Sequence, residues 1–132
     1  VLKPEETSAP DFLVNGLKDG NRLQDFLTNN MIKGRSGNDI LAKSLNEAKA
    51  AGLKPSIYTH PLGSYGHSAG TTIGMWDSQG GVMRDDGENY TLNSNTVYAI
   101  ELNTTVNIPE WNRDIRIMLE EAGKYEFKFK TE

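Results

Sequence analysis

Four side chains in this sequence carry groups from which metal-assisted or acid–base chemistry is built: His60, His67, Glu101 and Glu120. His60 and His67 are the only two histidines of the chain. Both fall in a glycine-dense run from Thr59 to Gly81, THPLGSYGHSAGTTIGMWDSQGG. Neutral imidazole and carboxylate oxygen are the donors expected for zinc, manganese, cobalt or iron at a hydrolytic site. A histidine pair alone is a weak signal, because a turn histidine is common. The signal strengthens because Glu101 and Glu120 each fall on a segment that reads as a strand.

The elements that must position these groups follow from periodicity. Val1 to Pro10 is polar and bounded by proline, and reads as a linker or extended lead-in. Phe12, Leu13, Leu17, Leu23, Phe26 and Leu27 form a helical stripe from Asp11 to about Asn29. Gly16 and Gly20 weaken that helix by about 1 kcal/mol each relative to alanine. Ser36, with Asp39 three residues on, resembles a capping box. A second helix carries Ile40, Leu41, Leu45 and Ala48, and Gly52 followed by Pro55 ends it.

Beyond Pro55 the period becomes two. Ser56 to Thr59 reads as a short strand entering the histidine loop, and Thr71 to Trp76 as a strand leaving it. Val82 to Asn95 is rich in loop residues, with a turn at Asp85-Asp86-Gly87. Thr96 to Val106 is the strongest strand: Tyr98, Ile100, Leu102 and Val106 share one face, and Ala99, Glu101, Asn103 and Thr105 share the more polar one. Arg113 to Glu121 follows after Pro109, and Tyr125 to Lys130 reads as a terminal edge strand. Trp76 and Trp111 are assigned to packing. Asn103-Thr-Thr105 matches a glycosylation pattern, but a glycan there would share a face with Glu101.

If the strands at 96–106 and 113–121 pair as a hairpin centred near Glu110 and Trp111, Glu101 faces Glu120. Cross-strand neighbours lie roughly 5 Å apart, so the two carboxylates would converge on one or two cations. Without a cation, charges that close repel and one acid is expected to stay protonated. A register slip of two would instead set Met118 opposite Glu101.

Composition narrows the class. A chain of 132 residues has the size of one domain. Its 14 basic residues against 18 acids give a net charge of -4, unlike the basic patch of a nucleic-acid surface. No apolar run approaches the roughly 18 residues of a membrane helix, and no leader pattern is present. The absence of cysteine excludes thiolate ligands and disulfides. A soluble protein is expected, with cytoplasm and periplasm not distinguished. A start at Val1 suggests a processed chain or a piece of a longer one.

Gly66-His67-Ser68-Ala69-Gly70, then Ala99-Ile100-Glu101, then Ile115-Arg116-Ile117 running to Glu120-Glu121, occur in an order that resembles a known family. It is the creatinase, aminopeptidase P, prolidase and methionine aminopeptidase family, the pita-bread metallopeptidases. Ile32-Lys33-Gly34-Arg35-Ser36 also resembles the turn that precedes a helix in that family. The resemblance runs from about Pro10 onward. It implies an α/β (α+β) chain equivalent to the C-terminal half of the pita-bread fold: two helices, then a curved, mainly antiparallel sheet, over residues 11–132.

The same resemblance implies that His67, Glu101 and Glu120 are metal ligands, with Glu120 bridging two divalent ions (Mn, Co, Zn or Fe). Glu101, and His60 upstream of the loop, would assist catalysis, and Glu121 is the alternative to Glu120. The reaction would be removal of an N-terminal residue from a peptide, or hydrolysis of an Xaa-Pro dipeptide. Departures are plain. The family's two aspartate ligands come from strands before the histidine loop, whereas Asp11, Asp19, Asp25 and Asp39 have no strand context. Trp76-Asp77 stands where a second histidine is usual, and Met118 where the strand usually has glutamate. The isolated chain is therefore expected to be inactive, to hold at most one metal ion weakly or none, and to self-associate through an exposed edge or apolar face. The alternatives are a non-catalytic binding or assembly domain on the same fold and a creatinase-like amidinohydrolase.

Overall fold

The computed structural model describes residues 2–75 and 82–124. Helix α1 spans Asp11–Asn30 and helix α2 spans Gly37–Ala50. Ser36 caps α2, its hydroxyl accepting from the Asp39 N–H at 3.1 Å, as the sequence predicts. The capped turn is further tied down by backbone bonds from Gly34 N–H to the Leu92 carbonyl and from Leu92 N–H to the Arg35 carbonyl. The loop before the long strands is thereby clipped to the start of α2, with Leu92 fully buried.

Four strands follow: β1 (Pro55–Gly63), β2 (Gly66–His67), β3 (Val97–Ile108) and β4 (Arg113–Lys124). They form one curved sheet in the order β2-β1-β3-β4, every pairing antiparallel. A short 3-10 turn, Pro109–Trp111, closes the β3–β4 hairpin, with Asn112 in the left-handed conformation. Trp111 packs edge-on against Phe12 of α1 with ring centroids 5.4 Å apart, the packing role expected for it.

The alternation of side chains gives the sheet two unlike faces. Ile57, Tyr98, Ile100 and Leu102 join Leu23 and Leu27 of α1 and Ile40, Leu41 and Leu45 of α2 in one buried core. Gly16 and Gly20 let α1 lie close to β4: a Cβ on Gly20 would run into the Leu119 side chain. The opposite face carries Ser56, Tyr58 and His60 from β1, Glu101 and Asn103 from β3, and Met118 and Glu120 from β4.

Two expectations are revised. His60 is not in a loop, because β1 continues past Thr59 to Gly63, carried by seven pairings with β3 from Pro55 to Pro61. The described part of the strand expected from Thr71 to Trp76, Thr71 to Met75, is not a regular strand: among the described residues only Ile73 bridges to β1 from this segment, through paired bonds with Thr59 at 2.8 and 2.9 Å. Gly74, at φ +80, then turns the chain away while sitting on the Ile57 carbonyl, where no Cβ fits. Trp76, Asp77 and the strand expected at Tyr125 to Lys130 lie outside the described residues.

Two measurements check this account. Gly74→Ala combines positive φ with a backbone clash and is expected to cost roughly 2–4 kcal/mol. Gly52→Ala, also at positive φ but with open space around it, should cost only about 1 kcal/mol. Equal losses in urea unfolding would contradict the close approach of residue 74 to β1. Tyr98 is buried, and burial pushes its phenol up to about 12, against the weaker opposing effect of a Thr71 hydrogen bond. The folded state therefore holds this proton more tightly than the unfolded state. Its contribution is intact below pH 10 and is lost as pH rises towards 12. Tyr98→Phe should flatten stability between those limits.

Candidate functional site

His60 is the most enclosed of the four candidates, 4% exposed although it belongs to the face away from the helices. Its Nε2 lies 2.8 Å from Glu101 Oε1, and its Nδ1 lies 3.0 Å from the Pro61 carbonyl. A carbonyl and an ionised carboxylate both accept, so satisfying both needs a proton on each ring nitrogen. The geometry makes His60 a clamp on Glu101.

His67 reaches the same place from β2. Leu62 pairs with His67 and Gly63 with Gly66, and the hairpin folds the second ring onto the first. The two imidazoles stack with centroids 3.8 Å apart and an interplanar angle of 19°. Tyr58, two residues before His60 on the same face, lies 5.2 Å from the His60 ring and 6.4 Å from His67. Burial, and secondarily the nearby Glu101 carboxylate, raises the Tyr58 phenol above its ordinary value, with Arg84 acting the other way.

Glu101 pairs with Tyr58 on one side and with Glu120 on the other. The register that the sequence left open is therefore the unslipped one, and Met118 faces Asn103 rather than Glu101. The choice between the adjacent acids is also resolved by position. Glu121 turns to the helix side, where Gln24 of α1 donates to it at 2.7 Å. Glu120 is exposed and belongs to the face of Glu101.

These residues form a continuous patch, but not a closed cage. Among the described residues, no three His, Asp or Glu side chains converge closely enough to hold a metal ion. Asp85 and Asp86 form a turn, and Asp86 is paired with Arg84 at 3.0 Å. Asp11, Asp19 and Asp25 lie on α1 and Asp39 on α2.

Sequence reasoning missed Tyr58, Ser56 and the role of Asn103. The signal was present: Ser56, Tyr58 and His60 alternate with apolar or small residues, as do Glu101 and Asn103. Ending β1 at Thr59 hid the first of these rows. Among the described residues no helix is long and apolar enough to cross a membrane. Comparison with protein-family models, curated proteins and solved structures finds no match to this chain.

The His60–Glu101 contact is testable by a double-mutant cycle on His60→Gln and Glu101→Gln. A buried hydrogen bond to a charged group predicts a coupling energy of about 1.5–3 kcal/mol at neutral pH. Additive losses in chemical unfolding would show that the two side chains do not interact.

Proposed function

We propose that this chain forms the C-terminal wall of a dinuclear metal-dependent aminopeptidase or Xaa-Pro dipeptidase built on a pita-bread fold. The observation that carries the proposal is the pairing of Glu101 with Glu120 on adjacent strands, with two stacked histidines beside them. One imidazole and two carboxylates, from His67, Glu101 and Glu120, form a donor set suited to Mn, Co, Zn or Fe. The set is partial, because these side chains do not close on a common point and one oxygen of Glu101 is held by His60. The two aspartates that the proposal calls for have no strand before His60 in this chain other than the start of β1.

A metal bound at such a site lowers the pKa of a water and polarises the scissile carbonyl. The chain's own contribution is positional. His60 fixes the Glu101 carboxylate, leaving its second oxygen for a metal or a proton. Tyr58 and the stacked rings wall one side of the acidic pair against solvent. A peptide would lie along the face that carries Glu101 and Glu120.

A second proposal, a non-catalytic binding domain on the same fold, draws support from the incomplete donor set. It also draws on Met118, which is 61% exposed on the site face where the resemblance calls for glutamate. Two experiments separate the outcomes. The purified chain with added Mn²⁺ or Co²⁺ should release no amino acid from an Xaa-Pro peptide; release would contradict the partial-site account. Parallel metal titrations of the parent and His67→Ala should differ, the variant binding roughly 10-fold or more weakly. Coincident curves would remove His67 from the site.

A further inference from the structure

Ser56 and Asn103 are directly paired across β1 and β3, one step along the sheet from Tyr58 and Glu101. Both are more than nine-tenths buried, at 7% and 4% exposure. Neither side chain has a hydrogen-bond partner among the described residues. Buried polar side chains are ordinarily satisfied, since leaving one unpaired costs about 1–3 kcal/mol.

Elsewhere in the same sheet and its helices the chain follows that rule. Thr59 donates to the Glu101 carbonyl, Thr104 to the Lys54 carbonyl, and Ser44 to the Ile40 carbonyl. Ser94, whose hydroxyl also lacks a partner, lies in the loop before β3, away from the acidic pair. Ser56 and Asn103 differ in where they sit. They line a recess of about 140 Å³, together with Tyr58, Glu101, Met118 and Glu120. Their polar atoms are not sealed off, so their unused donors and acceptors open on that recess.

We infer that Ser56 and Asn103 form a subsite for a backbone amide of an extended peptide bound along this face. The inference rests on the proposal that the face receives a peptide. A carboxamide offers donors and an acceptor together, and a hydroxyl does the same, so the pair is neutral and two-sided. That matches a group presenting a C=O and an N–H side by side. Asn103 lies two residues from Glu101 along β3, roughly 7 Å away. An extended peptide advances roughly 3.4 Å per residue, so, counted from an N-terminal amine held at Glu101 and Glu120, the amide N–H held here is that of the third residue. The substrate class is therefore peptides of three or more residues, and the activity an aminopeptidase rather than a dipeptidase. The thioether of Met118, paired with Asn103 on β4, provides an apolar surface for the intervening side chain.

The test is an amide-shift NMR titration of the ¹⁵N-labelled chain with three probes. They are Ala-Pro, Ala-Pro-Ala, and the analogue of Ala-Pro-Ala whose Pro–Ala amide is replaced by an ester. The parent should bind Ala-Pro-Ala about 10-fold more tightly than either other probe, with shifts reaching Ser56 and Asn103. In Ser56→Ala/Asn103→Leu that advantage should vanish while the dispersed amide spectrum shows the fold retained. Ser56→Ala alone, the smaller change, should remove part of it. Equal binding of all three probes by the parent, with shifts at Glu101 and Glu120, would overturn the amide subsite and leave the peptidase proposal standing. A tripeptide advantage that survives in the double variant would overturn it equally. No shift on this face with any probe would count against the peptidase proposal itself.

Discussion

The antiparallel register of β1, β3 and β4 is the constraint on which the site depends. Side chains alternate across a strand, so a slip of one residue would send every polar group of this face into the helix-packed core. The buried row of Ile57, Tyr98, Ile100 and Leu102 forbids that slip, because α1 and α2 supply apolar surface to one face only. Hydrophobic burial on one side therefore fixes the chemistry on the other. The acidic pair follows from that choice of face together with the short Pro109–Trp111 turn, which sets Glu101 opposite Glu120.

Placing two carboxylates on neighbouring strands carries an electrostatic cost, and the structure shows how it is eased. Glu120 is exposed, so water screens it, while Glu101 is only partly exposed and takes the His60 ring as a donor. His60 is in turn held by the Pro61 carbonyl and covered by His67. This chain of contacts runs from β2 through β1 to β3, so a two-residue strand at the sheet edge orients a carboxylate two strands away. An aromatic stack does the covering, which leaves His60 buried while the Glu101 carboxylate it holds is partly exposed.

Much of this was legible in sequence. The cap at Ser36, both helices and the polar face of β3 follow from period and turn chemistry, whereas the pairing of Glu101 with Glu120 was one of two registers the sequence allowed and is set by the structure. What was not legible has physical reasons. Pro61 and Gly63 mark a loop in sequence, yet Pro61 is accommodated as the last residue of β1 paired with β3, its carbonyl still accepting from the Ser68 N–H. The segment after Thr71 has strand-like residues, but Gly74 lies against β1 and leaves room for a single bridge. Glu120 and Glu121 are equivalent as letters; only the Gln24 contact from α1 tells them apart. The glycosylation pattern at Asn103 is local and was set aside for sharing the face of Glu101, whereas the residue's burial is a property of three strands.

Cross-linking offers the most direct check, and a chain without native cysteine is suited to it. The doubly substituted chain Glu101→Cys/Glu120→Cys should close a disulfide under mild oxidation without loss of fold. Glu101→Cys/Glu121→Cys, with its two thiols on opposite faces of the sheet, should stay reduced. The reverse result, bonding at 121 and not at 120, would mean that the register is wrong and that the two acids never share a site.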